Sequence, residues 1–192
     1  MSLSRQQLTL IGIFALFFGP LLLVMLMRSS WWQYQPSGMK NQGYLVQPPV
    51  RLSLQKTREI EGKWLILYLL DQPCGSSCVD SATALRQVHR ATGRRSENLA
   101  IALLDPAQTG TEARSKLESI YPNFNFFEDS THSATVTLES IIATLPPEAA
   151  DARTFILDPN LNVILAYDSN SDPTDIHKDL KRLLKWSDQE GN

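Results

Sequence analysis

The chain has 192 residues, 43% hydrophobic and 20% charged, with a formal net charge of −2. That balance excludes a disordered or low-complexity chain. After residue 28 there are 16 basic and 20 acidic residues and no polybasic arm, so nothing favours nucleic-acid binding.

The hydrophobicity is unevenly placed. Leu8 to Met27 is twenty residues without a charge, bracketed by Arg5 and Arg28. At helical rise this spans roughly 30 Å, the thickness of a bilayer's hydrocarbon core. Trp31, Trp32 and Tyr34 follow at once, as an interfacial aromatic belt would. A cleaved signal peptide is the competing reading, but Met27-Arg28-Ser29-Ser30-Trp31 lacks a small-x-small cleavage site. The expectation is a tail over 1–7 and an uncleaved, single-pass transmembrane anchor over 8–27. Flanking charge is nearly a tie between the two sides, and the short tail makes the globular part the exported one. Residues 28–49, rich in Gln, Pro, Gly, Ser and Asn, read as a linker, and 50–192 as one folded domain.

Within the domain, Lys63 to Leu70 is a continuous apolar run and reads as a buried strand. Val79, Ala82, Leu85 and Val88 then mark one face of a helix, with Ser76 or Ser77 as its cap and Gly93 as its stop. Thr92-Gly93-Arg94-Arg95 makes a small, solvated basic turn. Asn98 to Leu104 is a second buried strand, and Thr111 to Tyr121 a short helix stopped by Pro122. Ser133 to Leu145 reads as a helix with strand-like content at Thr135, Val136 and Thr137. Thr154–Leu157 and Val163–Tyr167 flank a hairpin turn at Asp158-Pro159-Asn160. A last helix starts near Pro173, with Ile176, Leu180, Leu183 and Leu184 as its apolar stripe. The order by itself gives an α/β fold with a mixed sheet flanked by helices; a parallel sheet with a terminal antiparallel hairpin and a closing helix resembles the thioredoxin-like arrangement.

Cys74 and Cys78 are the chain's two cysteines and lie between the first buried strand and the helix that follows. The partial positive charge of a helix start favours thiolate, the form that attacks disulfides and binds metals. Two cysteines four apart within regular helix stand too far apart for a disulfide. A bridge therefore requires Cys74 on the turn before the helix and Cys78 in its first turn. Three readings stay open: redox or metal chemistry, a structural disulfide in an exported protein, and two inert thiols. Asp71 is a candidate proton relay or a simple strand-end carboxylate. His132 lies in a polar stretch from which it could swing toward the cysteines, whereas His89 and His177 read as solvated helix positions.

These features resemble the Sco/SenC family, membrane-anchored thioredoxin-like proteins that assemble the copper centre of cytochrome c oxidase. The resemblance rests on the single anchor, Cys74-Gly75-Ser76-Ser77-Cys78 after the first buried strand, Leu103-Leu104-Asp105-Pro106, and the hairpin Phe155 to Asn160. The linker Lys40 to Pro49 is similar to that of small bacterial Sco-like proteins associated with oxidase assembly. The chain departs from the Sco pattern in carrying Gly75 and Val79 where that family has prolines, and no histidine near Ala150 where its copper ligand would fall. The thioredoxin family's proline before the late strand is also absent, Pro146 and Pro147 coming several residues too early.

The resemblance implies thiol–disulfide exchange or transient Cu(I) binding at Cys74 and Cys78, with Cys74 attacking and Cys78 resolving. It further implies oxidase subunits or assembly factors as partners, membrane lipid around the anchor, and a bacterial inner-membrane location with the domain facing the periplasm. A general envelope thiol–disulfide oxidoreductase and a non-catalytic assembly scaffold are the alternatives.

Overall fold

The computed structural model describes residues 5–7, 14–20, 25, 41–70, 73–106 and 110–190. The chain divides into two units, Met1–Lys40 and Asn41–Asn192. In the first, residues 5–7, 14–20 and 25 are helical. Most of the predicted anchor, and Trp31, Trp32 and Tyr34 after it, lie outside the described residues. Among the described residues no helix is long and apolar enough to cross a membrane. The large apolar side chains described there, Phe14, Leu16, Phe17, Phe18 and Met25, are 47–79% exposed.

The second unit is built on a six-stranded sheet. Its elements are β1 (Tyr44–Arg51), β2 (Trp64–Leu69), α1 (Ser76–Ala91), β3 (Leu99–Asp105), α2 (Thr111–Ile120), β4 (Phe124–Glu128), α3 (Ser133–Ile142), β5 (Thr154–Leu157), β6 (Asn162–Tyr167) and α4 (Pro173–Glu190). The strand order is β1-β6-β5-β2-β3-β4. β3 and β4 run parallel to β2; β5 is antiparallel to it, as β6 is to β5 and β1 to β6.

The near-continuous apolar runs of β2 and β3 follow from burial on both faces. Because side chains alternate along a strand, Leu65, Leu67 and Leu69 pack with Ala100, Ala102 and Leu104 beneath Ala134, Leu138 and Ile141 of α3. Ile66, Tyr68 and Leu70 pack on the other face with Leu99, Ile101 and Leu103. There they meet Cys78, Ala82, Leu85 and Val88 of α1 and Ile176 and Leu180 of α4. The α1 stripe expected from spacing is the buried stripe, apart from Val79, which is half-buried.

Two expectations change, and one expected helix forms but ends earlier. Residues 44–49, read above as linker, form most of β1, so the folded unit starts earlier than residue 50. Pro48 and Pro49 hid this strand; it is an edge strand whose register shifts between Leu45 and Val50, and an edge tolerates prolines because they need not donate. β4 was also missed, since five residues pairing through one edge carry no clear period. The segment from Ser133 is helical to Ile142, tertiary packing of Leu138 and Ile141 overriding its β-branched content.

Candidate functional site

β2 points its carboxyl end at the cysteine loop. Leu70 N–H still donates to Leu104 O at 2.9 Å, so sheet pairing holds the chain until the loop begins. Asp71 and Gln72 lie outside the described residues. Gly75 is the N-cap of α1, with Cys74 before it and Cys78 in the first turn. Cys74 and Cys78 form a disulfide with a Cα–Cα distance of 5.3 Å, on the turn-then-helix placement the spacing required. The predicted Ser76 or Ser77 cap is not formed; α1 begins at Ser76, with no side-chain cap and no acidic residue in its first turn. Its first backbone bond is Val79 N–H to Gly75 O, 3.3 Å. The preceding amides therefore have no partner within the helix, and their dipoles favour negative charge on a nearby sulfur.

The two sulfurs are unequal. Cys78 is fully buried among Ile66, Tyr68, Leu70 and Leu103, whereas Cys74 is half-buried at the margin of that cluster. A molecule approaching from solvent meets Cys74 first.

Two residues the sequence did not single out for the site share this end of the sheet. Asp105 ends β3 and is 7% exposed. Strand alternation with Ile101 and Leu103 puts it on the Cys78 face. The signal was present in the Asp-Pro pair, which was read as part of the family resemblance and not as part of the site. Arg153 stands just before β5, where the family's proline was missing. Its O accepts from Leu69 N–H at 2.8 Å and its N–H donates to Tyr167 O at 3.1 Å. Among the described residues, the cis peptide is Gln47–Pro48, in β1.

The histidines do not gather at the disulfide. His89 is half-buried, not solvated: its Nε2 faces Leu99 O at 3.0 Å and its Nδ1 faces the Tyr121 hydroxyl at 3.1 Å. A carbonyl can only accept, so Nε2 carries the proton and Nδ1 accepts from Tyr121. Burial holds the His89 pKa below its usual value, partly countered by the bond to Leu99. His89 lines a cavity of about 440 Å³ with Lys63, Asn123 and Asn125, at the opposite end of the sheet from the cysteines. His132 is exposed, in the left-handed region (φ 54°), and leads into α3 on the other face of the sheet. His177 is half-buried on α4 and lines a cavity of about 240 Å³ with Arg95 and Lys181, which draws the predicted basic turn against that helix. Ala150 is exposed beside the buried Ala149. Among the described residues no group of three or more His, Cys, Asp or Glu is arranged to hold a metal ion.

Residues 64–187 match the family model described as transmembrane-like, thioredoxin-like, C-terminal domain. No curated protein sequence matches the chain significantly. Among solved structures, the apo Sco1 protein of Thermus thermophilus aligns with a TM-score of 0.54 at 13% identity, covering 73% of this chain and 95% of that one. Yeast Sco1 with copper bound aligns with a TM-score of 0.51 at 14% identity, covering 67% and 79%. At these identities the likeness is one of fold.

Proposed function

The chain belongs to the transmembrane-like, thioredoxin-like C-terminal domain family, and from that premise we propose that it is a membrane-anchored thiol–disulfide exchange protein serving assembly of the copper centre of cytochrome c oxidase. The observation that carries the chemistry is the unequal disulfide: Cys74 half-buried on a turn, Cys78 buried in the first turn of an uncapped helix. The fold likeness to Sco1 proteins, one of them with copper bound, supports the oxidase connection. The exposed apolar helix at residues 14–20 supports a lipid-embedded anchor, with the domain on the periplasmic side of a bacterial inner membrane.

In this reading a thiolate of a partner dithiol attacks Cys74 Sγ. A partner–Cys74 bond forms, the Cys74–Cys78 bond breaks, and Cys78 leaves as thiolate beside the first-turn amides before taking a proton. The partner's second thiolate then attacks its own bridged sulfur and expels Cys74. Two electrons pass from the partner dithiol to the pair, and the same steps reversed oxidise it. In the reduced state two thiolates are soft donors suited to Cu(I) as cargo. With no third donor grouped beside them among the described residues, a further ligand would come from the partner.

Cys74→Ser and Cys78→Ser are expected to lower the level of assembled oxidase in cells; unchanged oxidase in both variants overturns the proposal. Cu(I) competition titration of the reduced protein beside Cys74→Ser separates copper carriage from redox work alone. Tight one-to-one binding lost in the variant means carriage, and absence of binding leaves thiol exchange as the activity.

A further inference from the structure

The two outer strands of the sheet are defended differently. β1 carries Pro48, Pro49 and a register shift between Leu45 and Val50, and a strand that cannot donate is a poor template for another. β4, at the other side, reads Phe124-Asn125-Phe126-Phe127-Glu128, with no proline and no cation. Asp129 N–H donates to Asp105 O at 3.0 Å, so by alternation the backbone of Asn125 and Phe127 also faces β3. Phe126 and Glu128 therefore turn their N–H and C=O groups outward, and among the described residues no further strand pairs there.

A groove follows this free side. A cavity of about 340 Å³ opens between Glu128 of β4, Gln55 of the loop after β1 and Ser133 at the start of α3. Leu104 and Ala134, both buried, give it an apolar floor. Its lining holds two carboxylates, Glu128 and Asp129, and no cation. Asp129 is 6% exposed, and its Oδ2 accepts from the Thr135 N–H and hydroxyl, each at 2.7 Å. Arg114 of α2 reaches Glu128 at 2.9 Å but is shared with Glu118 at 3.2 Å. Open ladder positions, an apolar slot of side-chain size and surplus negative charge thus lie side by side.

We propose that the free side of β4 is a docking site for an extended segment of a partner protein. The segment adds as a further strand, with an apolar side chain in the slot and a lysine or arginine beside Glu128. Main-chain bonds to Phe126 and Glu128 supply affinity, and the slot and the carboxylates supply selectivity. A second copy of this chain is the poorer occupant. Its β4 brings the same carboxylates, and its Phe127 is already packed on its own core, so the slot would stay unfilled and the charge unmet. The site does not involve the disulfide and stands whether or not the chain exchanges thiols.

The test starts from octapeptides of random sequence displayed on phage and selected on the full chain in detergent micelles. Recovered peptides are expected to carry an apolar anchor and a neighbouring lysine or arginine. Added to the isotope-labelled full chain, they are expected to shift the Phe126 and Glu128 amides first. Glu128→Pro removes one outward donor, keeps the bond from Asp129 to Asp105, and is expected to weaken binding about fivefold or more. Ser133→Trp, at the exposed rim, fills the slot and is expected to remove the preference for an apolar anchor. A selection that yields no peptide weakened by either variant overturns the inference. So does a peptide that binds as tightly after its lysines and arginines are replaced by glutamate. Dimerisation of the wild-type chain in sedimentation, lost in Glu128→Pro, would give the strand to a second copy and overturn it as well. Disulfide exchange with dithiothreitol is expected to be unchanged in Glu128→Pro, so the docking site and the exchange reading fail separately.

Discussion

The two ends of α1 are built on opposite terms. At its start the N-cap is Gly75, no side chain among the described residues caps the first turn, and that turn carries no acidic residue of its own. At its end Thr92 returns both its N–H, at 3.2 Å, and its hydroxyl, at 2.6 Å, to His89 O. The His89 ring there ties α1 to Leu99 at the start of β3 and to Tyr121 beyond α2. A helix gains stability when its end groups are satisfied. This one satisfies the end that only has to hold and leaves free the end beside the sulfurs. Amides already bound to a capping oxygen could not stabilise a thiolate. The comparison teaches that missing caps at Ser76 and Ser77 are part of the site, whereas the satisfied end is architecture.

The comparison can be broken most sharply at the reactive end. Cys78→Ser is expected to abolish turnover and to trap a partner on Cys74 as a mixed disulfide, visible on non-reducing gels. Loss of the bridge should itself cost about 2 kcal/mol, since the loop it closes is small. Undiminished reduction of a disulfide-bonded partner by this variant would remove Cys78 as the resolving group.

At the holding end, His89→Leu should cost about 1–3 kcal/mol in urea unfolding, because Leu99 O and the Tyr121 hydroxyl lose their partner. Exchange rates at Cys74 are expected to stay within twofold, roughly, because the two ends do not share groups. A rate loss as large as that of the cysteine variants would show that the ends are not independent.

The same histidine gives a pH test. Its folded pKa is lowered by burial, so the folded state binds the proton less readily than the unfolded chain. Stability from this group is fully present above the unfolded value, about 6.5, and is lost as pH falls below it. Unfolding free energies at successive pH values from 7.5 to 5, roughly, should therefore fall in the wild type and fall less in His89→Leu. Equal slopes would mean that His89 titrates alike in both states.

The smallest effect comes from repairing the uncapped end. Ser77→Asp places a carboxylate in the first turn and should stabilise the helix by about 0.3–1 kcal/mol. The same charge opposes thiolate on the adjacent sulfurs, so exchange should slow severalfold. A variant that is both more stable and as fast would dissolve the contrast between the two ends.

Much of the fold was legible because its signals are local. β2 and β3 announced themselves as unbroken apolar runs, α1 as a stripe through Ala82, Leu85 and Val88, and α4 by Pro173 at its first turn. The disulfide's placement followed from the reach of two side chains four residues apart. The strands that escaped are the two edges, β1 with its paired prolines and β4 with five residues. An edge strand is half-paired, so it needs neither a full apolar run nor a donor at every position.

By itself, then, the sequence determined the alternation of strands and helices, the turn that carries Cys74 and Cys78, and the apolar segment ahead of the domain, each through contacts a few residues apart. Only the tertiary structure decided what those elements meet. Cys78 is buried because β2, β3 and α1 converge on it. His89 is held because Leu99 and Tyr121, 10 and 32 residues away, supply its partners. Asp179 reaches Gln42 across 137 residues of chain. A charge in an amphipathic helix reads as a solvated position until the fold brings donors to it, and no spacing rule in one chain segment can announce a partner that another segment supplies.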